Sequence, residues 1–129
     1  MTHQPATDPL LQPLQIGRLI LRNRIMSTSH ETDLDDRGFP REAYQRYHEE
    51  KAKGGLALTM FGGSGKVSVD SSWGGTQLDF TTDAIIPVFQ EFADRVHPHG
   101  AALMCQVSHV GRRANASVGA WLPALGPSH

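Results

Sequence analysis

Gly55-Leu56-Ala57-Leu58-Thr59-Met60-Phe61 is a continuous apolar run bounded by glycines. That pattern predicts a strand covered on both faces, as in a parallel sheet. On this reading Gly62-Gly63-Ser64-Gly65 ends the strand abruptly. Lys66 to Thr82 then follows as a loop, with Trp73-Gly74-Gly75 in its middle.

Helical periodicity flanks this run on both sides. Upstream, a helix is expected from about Pro40 to Lys53. Pro40 suits a first turn, Gly54 suits a C-terminal cap, and Tyr44, Tyr47, His48 and Ala52 share one face. Glu49 and Glu50 precede Lys53 by four and three residues, which adds mild support. Downstream, a helix from Pro87 to His99 carries Val88, Phe89, Phe92, Ala93 and Val96 on its apolar face and is capped by Gly100. Ala101 to Val107 is a further apolar strand, with Cys105 expected in the core. Before all of this, Leu14 to Leu21 alternates around Gly17 and predicts a short hairpin. Arg24 to Thr28 is a second extended stretch, and Asp33 to Pro40 is an acidic, glycine-punctuated loop. Residues 1–12 read as a flexible lead-in. The order is hairpin, strand, helix, strand, helix, strand, loop. Strands alternating with helices imply a parallel α/β sheet of βαβ units. Three parallel strands and two helices neither close a barrel nor cover both faces of a sheet, so the chain is expected to be truncated.

Composition narrows the function classes. The chain has 129 residues, one domain at most, with a net charge of -1 and no basic excess to suggest nucleic-acid binding. No apolar run approaches the ~20 residues of a membrane helix. Met1 to Leu11 lacks the basic start and apolar stretch of a secretory signal. Cys105 is the single cysteine, so no internal disulfide is possible and a reducing cytoplasm is the expected setting. The seven histidines invite a metal or catalytic reading, against the plainer one of scattered surface residues.

Three polar segments occupy equivalent places, Ser27 to Glu31, Gly62 to Gly65, and Gln106 to Arg113, each at the C-terminal end of an expected parallel strand. That edge is where α/β folds bind ligands. The glycine cluster is neither a phosphate loop nor a dinucleotide fingerprint. Met60 stands where the first glycine of the phosphate loop belongs, Val67 follows Lys66, and no helix follows directly. It reads either as a tight turn or as Cβ-free positions that admit a flat ring. Gln106 is either bonded within the core or faces a ligand with its donor and acceptor edges. His97 and His99 read as solvated helix-end residues rather than metal ligands.

Pro13-Leu14-Gln15-Ile16-Gly17-Arg18-Leu19-Ile20-Leu21-Arg22-Asn23-Arg24-Ile25 resembles the opening hairpin and first strand of old yellow enzyme relatives. Gln106-Val107-Ser108-His109-Val110-Gly111-Arg112 resembles their third-strand motif, and Gly126-Pro127-Ser128 a later small-residue segment. Within that family, Met26-Ser27-Thr28-Ser29-His30 is most similar to the branch of trimethylamine dehydrogenase, dienoyl-CoA reductase and N-methylproline demethylases. Tyr47-His48-Glu49-Glu50-Lys51-Ala52-Lys53-Gly54-Gly55 is similar to the demethylases in particular.

The resemblance implies that residues 13–129 are the N-terminal portion of a (β/α)8 barrel, whose complete form takes roughly 250 residues. It implies an FMN across the C-terminal mouth, against Thr28, Ser29 and His30, with Gly62 or Gly63 nearby and Gln106 on the pyrimidine edge. His30 and His109 become candidates to meet substrate. Glu31 stands where trimethylamine dehydrogenase has its flavin-linking cysteine, so a non-covalent FMN is expected. Proton-transfer residues, the phosphate site and any iron–sulfur cluster would lie beyond this chain, and no catalytic acid or base is assigned within it. The implied activity is hydride transfer between FMN and a small organic substrate. Oxidative N-demethylation of a small amine or betaine comes first, and NAD(P)H-dependent reduction of activated alkenes second. A non-enzymatic truncated product is the alternative from another class.

Overall fold

A computed structural model describes residues 7–72, 74 and 76–114 of the chain. Trp73, Gly75 and the Gly126-Pro127-Ser128 segment lie outside the described residues. The N-terminal hairpin is present. Strand β1 (Leu14–Ile16) pairs antiparallel with β2 (Leu19–Leu21), Leu14 opposite Leu21. Leu21 is buried with Ala57 and Leu58, and Leu14, Met60 and Ala102 pack around them. The hairpin therefore covers the N-terminal end of the main sheet. Within the expected lead-in, residues 8–12 carry backbone hydrogen bonds. Pro9–Leu11 form a 3-10 turn capped by Asp8, and Leu10 O accepts from Arg24 N at 2.8 Å.

The main sheet has the order β3-β4-β5, all parallel, from β3 (Met26–Ser27), β4 (Leu58–Lys66) and β5 (Ala102–Ser108). Helices α1 (Glu42–Lys53) and α2 (Ile86–Val96) supply the crossovers. Alternation along β4 sorts its side chains into two sets. Phe61 joins Tyr44, Ala52, Leu78, Phe92 and Val96 in the sheet–helix core, whereas Leu58 and Met60 belong with the hairpin cluster. Each large side chain fully buried there contributes about 1.5–3 kcal/mol. The α2 face is as expected, with Val88, Phe92 and Val96 buried and Phe89 packed against the core.

Three local expectations are corrected. First, α1 begins at Glu42, after Pro40 rather than at it, and Gln45 Nε2 returns to Pro40 O at 2.9 Å. The other end is as expected: the helix stops at Lys53 with Gly54 as its cap (φ -66°), and the left-handed turn falls on Gly55 (φ 102°). Arg22 and Asn23 brace this end. Arg22 Nη2 donates to Ala52 O and Leu56 O at 2.8 and 2.9 Å, and Asn23 Nδ2 donates to Gly55 O at 2.7 Å. These long-range donors tie the end of α1 and the turn after it to the segment that follows β2.

Second, β4 does not stop at Phe61. It passes through the glycines to Lys66, with a register shift between Phe61 and Gly65 before pairing resumes at Gly65–Val107 and Lys66–Ser108. Gly62 and Gly63 sit at φ 100° and 60°, so the residues read as a terminator form a bulge instead.

Third, β5 is not buried. Met104 and Val107 are 42% and 56% exposed, and Cys105 is exposed rather than part of the core. The cause is that β5 is an edge strand of the described sheet. Met26, 47% exposed, lies in the same layer as Leu58 by register, and Met104 pairs Met60. Expressed alone, residues 1–129 are therefore expected to self-associate through this face and edge. A soluble monomer with a cooperative melt in analytical ultracentrifugation and calorimetry would refute that expectation.

Candidate functional site

The C-terminal ends of β3, β4 and β5 meet through one side chain. Ser29 Oγ donates to Gln106 Oε1, and Gln106 Nε2 donates to Gly63 O. An amide with both edges engaged thus ties three strand ends together. Because the side chain is exposed, the amide keeps capacity. A glutamine carries two N–H donors and two acceptor lone pairs, and these two bonds take one of each. The reading of Gln106 as purely core-bonded fails on its exposure. What it offers is a remaining donor and acceptor at the rim of the sheet.

The glycines have a cause internal to the protein. A Cβ on Gly62 would overlap the backbone carbonyl of Gln106. One on Gly63 would stand 2.8 Å from Glu31 N and from the His30 carbonyl carbon. The neighbouring strand ends therefore occupy the space on the Cβ side of both glycines. Cβ-free positions are needed so that three backbones can converge. Gly62 N also donates to Tyr44 Oη at 3.0 Å, fixing the bulge to α1. Burial pushes the Tyr44 phenol up, so it stays protonated there.

The remaining candidates divide. Thr28 is exposed at the strand end. His30 is exposed but turned towards α1, with Nε2 3.1 Å from Tyr47 Oη and the two rings edge to face at 5.7 Å. Lys51 Nζ lies 4.0 Å from the Tyr47 ring centroid and 3.4 Å from Ser27 Oγ. His109 follows the end of β5. Its Nδ1 accepts from Gly111 N at 3.1 Å, and its Nε2 lies 3.4 Å from Asp70 Oδ1. That assigns the proton to Nε2. The hydrogen bond from Ser68, with a backbone hydrogen bond and His109 beside it, holds the Asp70 carboxyl below its ordinary value against the opposing effect of burial. His30 and His109 share the C-terminal end of the sheet. His48 is buried between sheet and helices, and His99 pairs with Glu49 at 3.3 Å rather than standing solvated.

Sequence reasoning did not single out Tyr47 and Asp70 as partners of the two histidines, nor Ser64 as the partner of Glu31. Ser64 Oγ donates to Glu31 Oε2 at 2.8 Å. Only helical phase could have found Tyr47, four residues before Lys51 on the face towards the strand end. The other two contacts join segments more than thirty residues apart in the chain.

Comparison with known proteins now bears on this geometry. A family model for NADH:flavin oxidoreductase / NADH oxidase proteins matches residues 9–128. The chain belongs to that family. It is 57% identical, over 95% of its length, to a multifunctional alkene reductase/demethylase from Caballeronia cordobensis. It is 47% identical, again over 95% of its length, to a probable N-methylproline demethylase of Rhizobium meliloti. It spans about 18% of the length of either relative. Among solved structures, the old yellow enzyme of Pichia sp. AKU4542 superposes on 97% of the chain with a TM-score of 0.84 at 20% identity. That likeness concerns the fold, and it covers 33% of the Pichia chain. The described α/β unit is thus the N-terminal part of such a barrel. Among the described residues no helix is long and apolar enough to cross a membrane.

Proposed function

We propose that this chain carries the flavin seat of an FMN-dependent oxidoreductase, with the ring held non-covalently across the C-terminal ends of β3, β4 and β5. The carrying observation is Gln106, an exposed amide bonded to Ser29 and Gly63 with one donor and one acceptor left over. Those leftover groups suit the pyrimidine edge of the ring, which presents acceptors beside an N–H. Thr28, Ser29 and His30 line one side, and Gly62 and Gly63 the other. The flavin supplies the hydride chemistry when bound, while these residues orient it and set its surroundings. His30 has its Nε2 committed to Tyr47, so its Nδ1 is the nitrogen available to substrate. His109, steadied by Asp70, borders the same end.

For the whole protein, oxidative N-demethylation of a small amine or betaine is the first reading, supported by the likeness to the demethylase. Reduction of an activated alkene by NAD(P)H is the second, supported by the name of the 57% identical relative, which joins both activities. The relatives are several times longer than this chain, which leaves room for an iron–sulfur cluster outside it. One cysteine and the absence of any disulfide within the chain fit a cytoplasmic setting.

Gln106→Leu tests the seat in the full-length protein. Leucine roughly preserves volume and removes both polar edges. Ser29 and the Gly63 carbonyl are near solvent and recover partners from water, so the melting temperature should hardly move. FMN affinity should fall roughly ten- to hundredfold, about 1–3 kcal/mol. Titrating FMN into apoprotein alongside a melt reads both quantities. Unchanged affinity with a lowered melt would make Gln106 a purely structural residue.

A further inference from the structure

Beside the clamp formed by Gln106 lies a carboxyl that the flavin seat as described does not use. Glu31 follows His30 directly, and its backbone N is one of the two atoms packed against Gly63 at 2.8 Å from where a Cβ would stand. The opposite side of the same glycine, its carbonyl, is the one Gln106 grips. Glu31 is therefore one residue's width from the seat. Its Oε2 accepts from Ser64 Oγ at 2.8 Å, crossing from the loop after β3 to β4. Its Oε1 is buried and has no hydrogen-bond partner among the described residues. An ionised carboxylate with one oxygen in that condition lacks the donors that normally stabilise it, whereas a protonated carboxyl needs fewer.

We propose that Glu31 is a positioning residue that tunes the potential of the bound flavin, through a carboxyl fixed by Ser64 beside the Gly63 corner that takes up and releases a proton there. This rests on the flavin seat proposed above.

The surroundings set the direction. Within its own loop Glu31 faces Asp35 and Asp33, from β4 Ser64, and from α1 Tyr44. Burial raises the carboxyl above its ordinary value, and the charges of Asp35 and Asp33 add to this. The Ser64 hydroxyl and the Thr32 N–H oppose it. The proton therefore stays on Glu31 to higher pH than on a free carboxyl and then leaves to solvent. Above that point a negative charge faces the corner where the flavin must accept electrons, and reduction becomes harder. Below it the site is neutral.

The test is the midpoint potential of bound FMN, measured across pH in the full-length holoprotein, wild type against Glu31→Gln and Ser64→Ala. Glutamine copies the neutral carboxyl. Wild type and Glu31→Gln should coincide at low pH and separate as Glu31 ionises, with wild type lower. A tenfold change in the ratio of reduced to oxidised affinities corresponds to about 30 mV for this two-electron couple. Ser64→Ala retains the carboxyl but loses the bond that favours its ionised form, so the step should move to higher pH. A merely structural brace would not shift it. If Glu31→Gln fails to fold, the Ser64→Ala shift decides. Superimposable curves for all three proteins overturn the proposal. If wild-type protein binds no FMN, the flavin seat itself has failed, and the tuning role falls with it. A protein that binds FMN with no pH step loses only the tuning role.

Discussion

Gly62→Ala is expected to destabilise the protein by about 3 kcal/mol or more, a large share of the roughly 5–15 kcal/mol that holds a typical domain folded. Two independent penalties add. Gly62 sits at φ 100°, where an L side chain is strained by about 1–3 kcal/mol. The new Cβ would also overlap the Gln106 carbonyl, which is backbone held between the paired residues Cys105 and Val107 and cannot swing aside. Overpacking of that kind costs about 1–3 kcal/mol on its own. Gly17→Ala is the internal control. Gly17 also has a positive φ, 58°, but nothing lies within 4 Å of where its Cβ would stand, so only the conformational term of about 1–2 kcal/mol applies. Urea midpoints of both variants in the full-length protein compare the two. A Gly62→Ala loss no larger than that of Gly17→Ala would mean that β4 and β5 do not approach so closely. Because the same convergence carries Gln106 to Ser29 and Gly63, the variant should lose FMN affinity along with stability.

The βαβ rhythm was legible because it depends on local periodicity. The apolar run around Leu58, the α2 face through Phe92, and the hairpin around Gly17 each announce themselves within a dozen residues. The three strand ends were legible too, since parallel strands must place them on one edge. What could not be read was how those ends touch. Gly62 and Gly63 look like a terminator in sequence. Only the nearness of Gln106, more than forty positions on, turns them into a bulge that the strand runs through. Arg22 ties the end of α1 to the chain after β2 by donating to carbonyls thirty and thirty-four residues away, a tertiary contact that no local cap signal encodes. The exposure of Cys105 and Val107 is likewise a property of sheet order: the same apolar sequence reads as core whether or not a neighbour covers it.

His48 shows the same limit, and it yields the other large expected effect. Periodicity puts it on the inward face of α1 but does not reveal its protonation state. In the structure it is 2% exposed. Its Nδ1 lies 2.7 Å from Thr59 Oγ1, and Tyr44, Tyr47, Phe92 and Phe61 surround the ring. Its Nε2 is buried without a partner among the described residues. The neutral ring with its proton on Nδ1 is the form that leaves only an acceptor unpaired, the smaller penalty. Burial, with the charge of Lys51 next and His30 after it, pushes the imidazole down from 6.5 to about 3. The unfolded chain therefore binds a proton that the folded protein refuses. The stability due to the neutral ring is complete above pH 6.5 and drains away as pH falls towards 3. The slope approaches about 1.4 kcal/mol per pH unit, or roughly 2 kcal/mol between pH 6.5 and 4.5. The depressed carboxyls of Glu42, Glu49, Asp70 and Asp79 begin to weaken the fold as pH nears their ordinary values of 4.5 and 3.8, at the bottom of that window, and they act alike in wild type and in the variant compared below. Glu31, raised above 4.5, acts there with the opposite sign, its contribution fading as pH rises. Comparing wild type with His48→Asn cancels that term. Asparagine can still reach Thr59 but does not titrate, so its lower overall stability matters less than its flatter slope. Denaturation midpoints at pH 4.5, 5.5 and 6.5 supply the comparison. Parallel slopes for the two proteins, or a His48 ring that titrates by NMR near 6.5, would mean the site is far wetter than its aromatic cage implies.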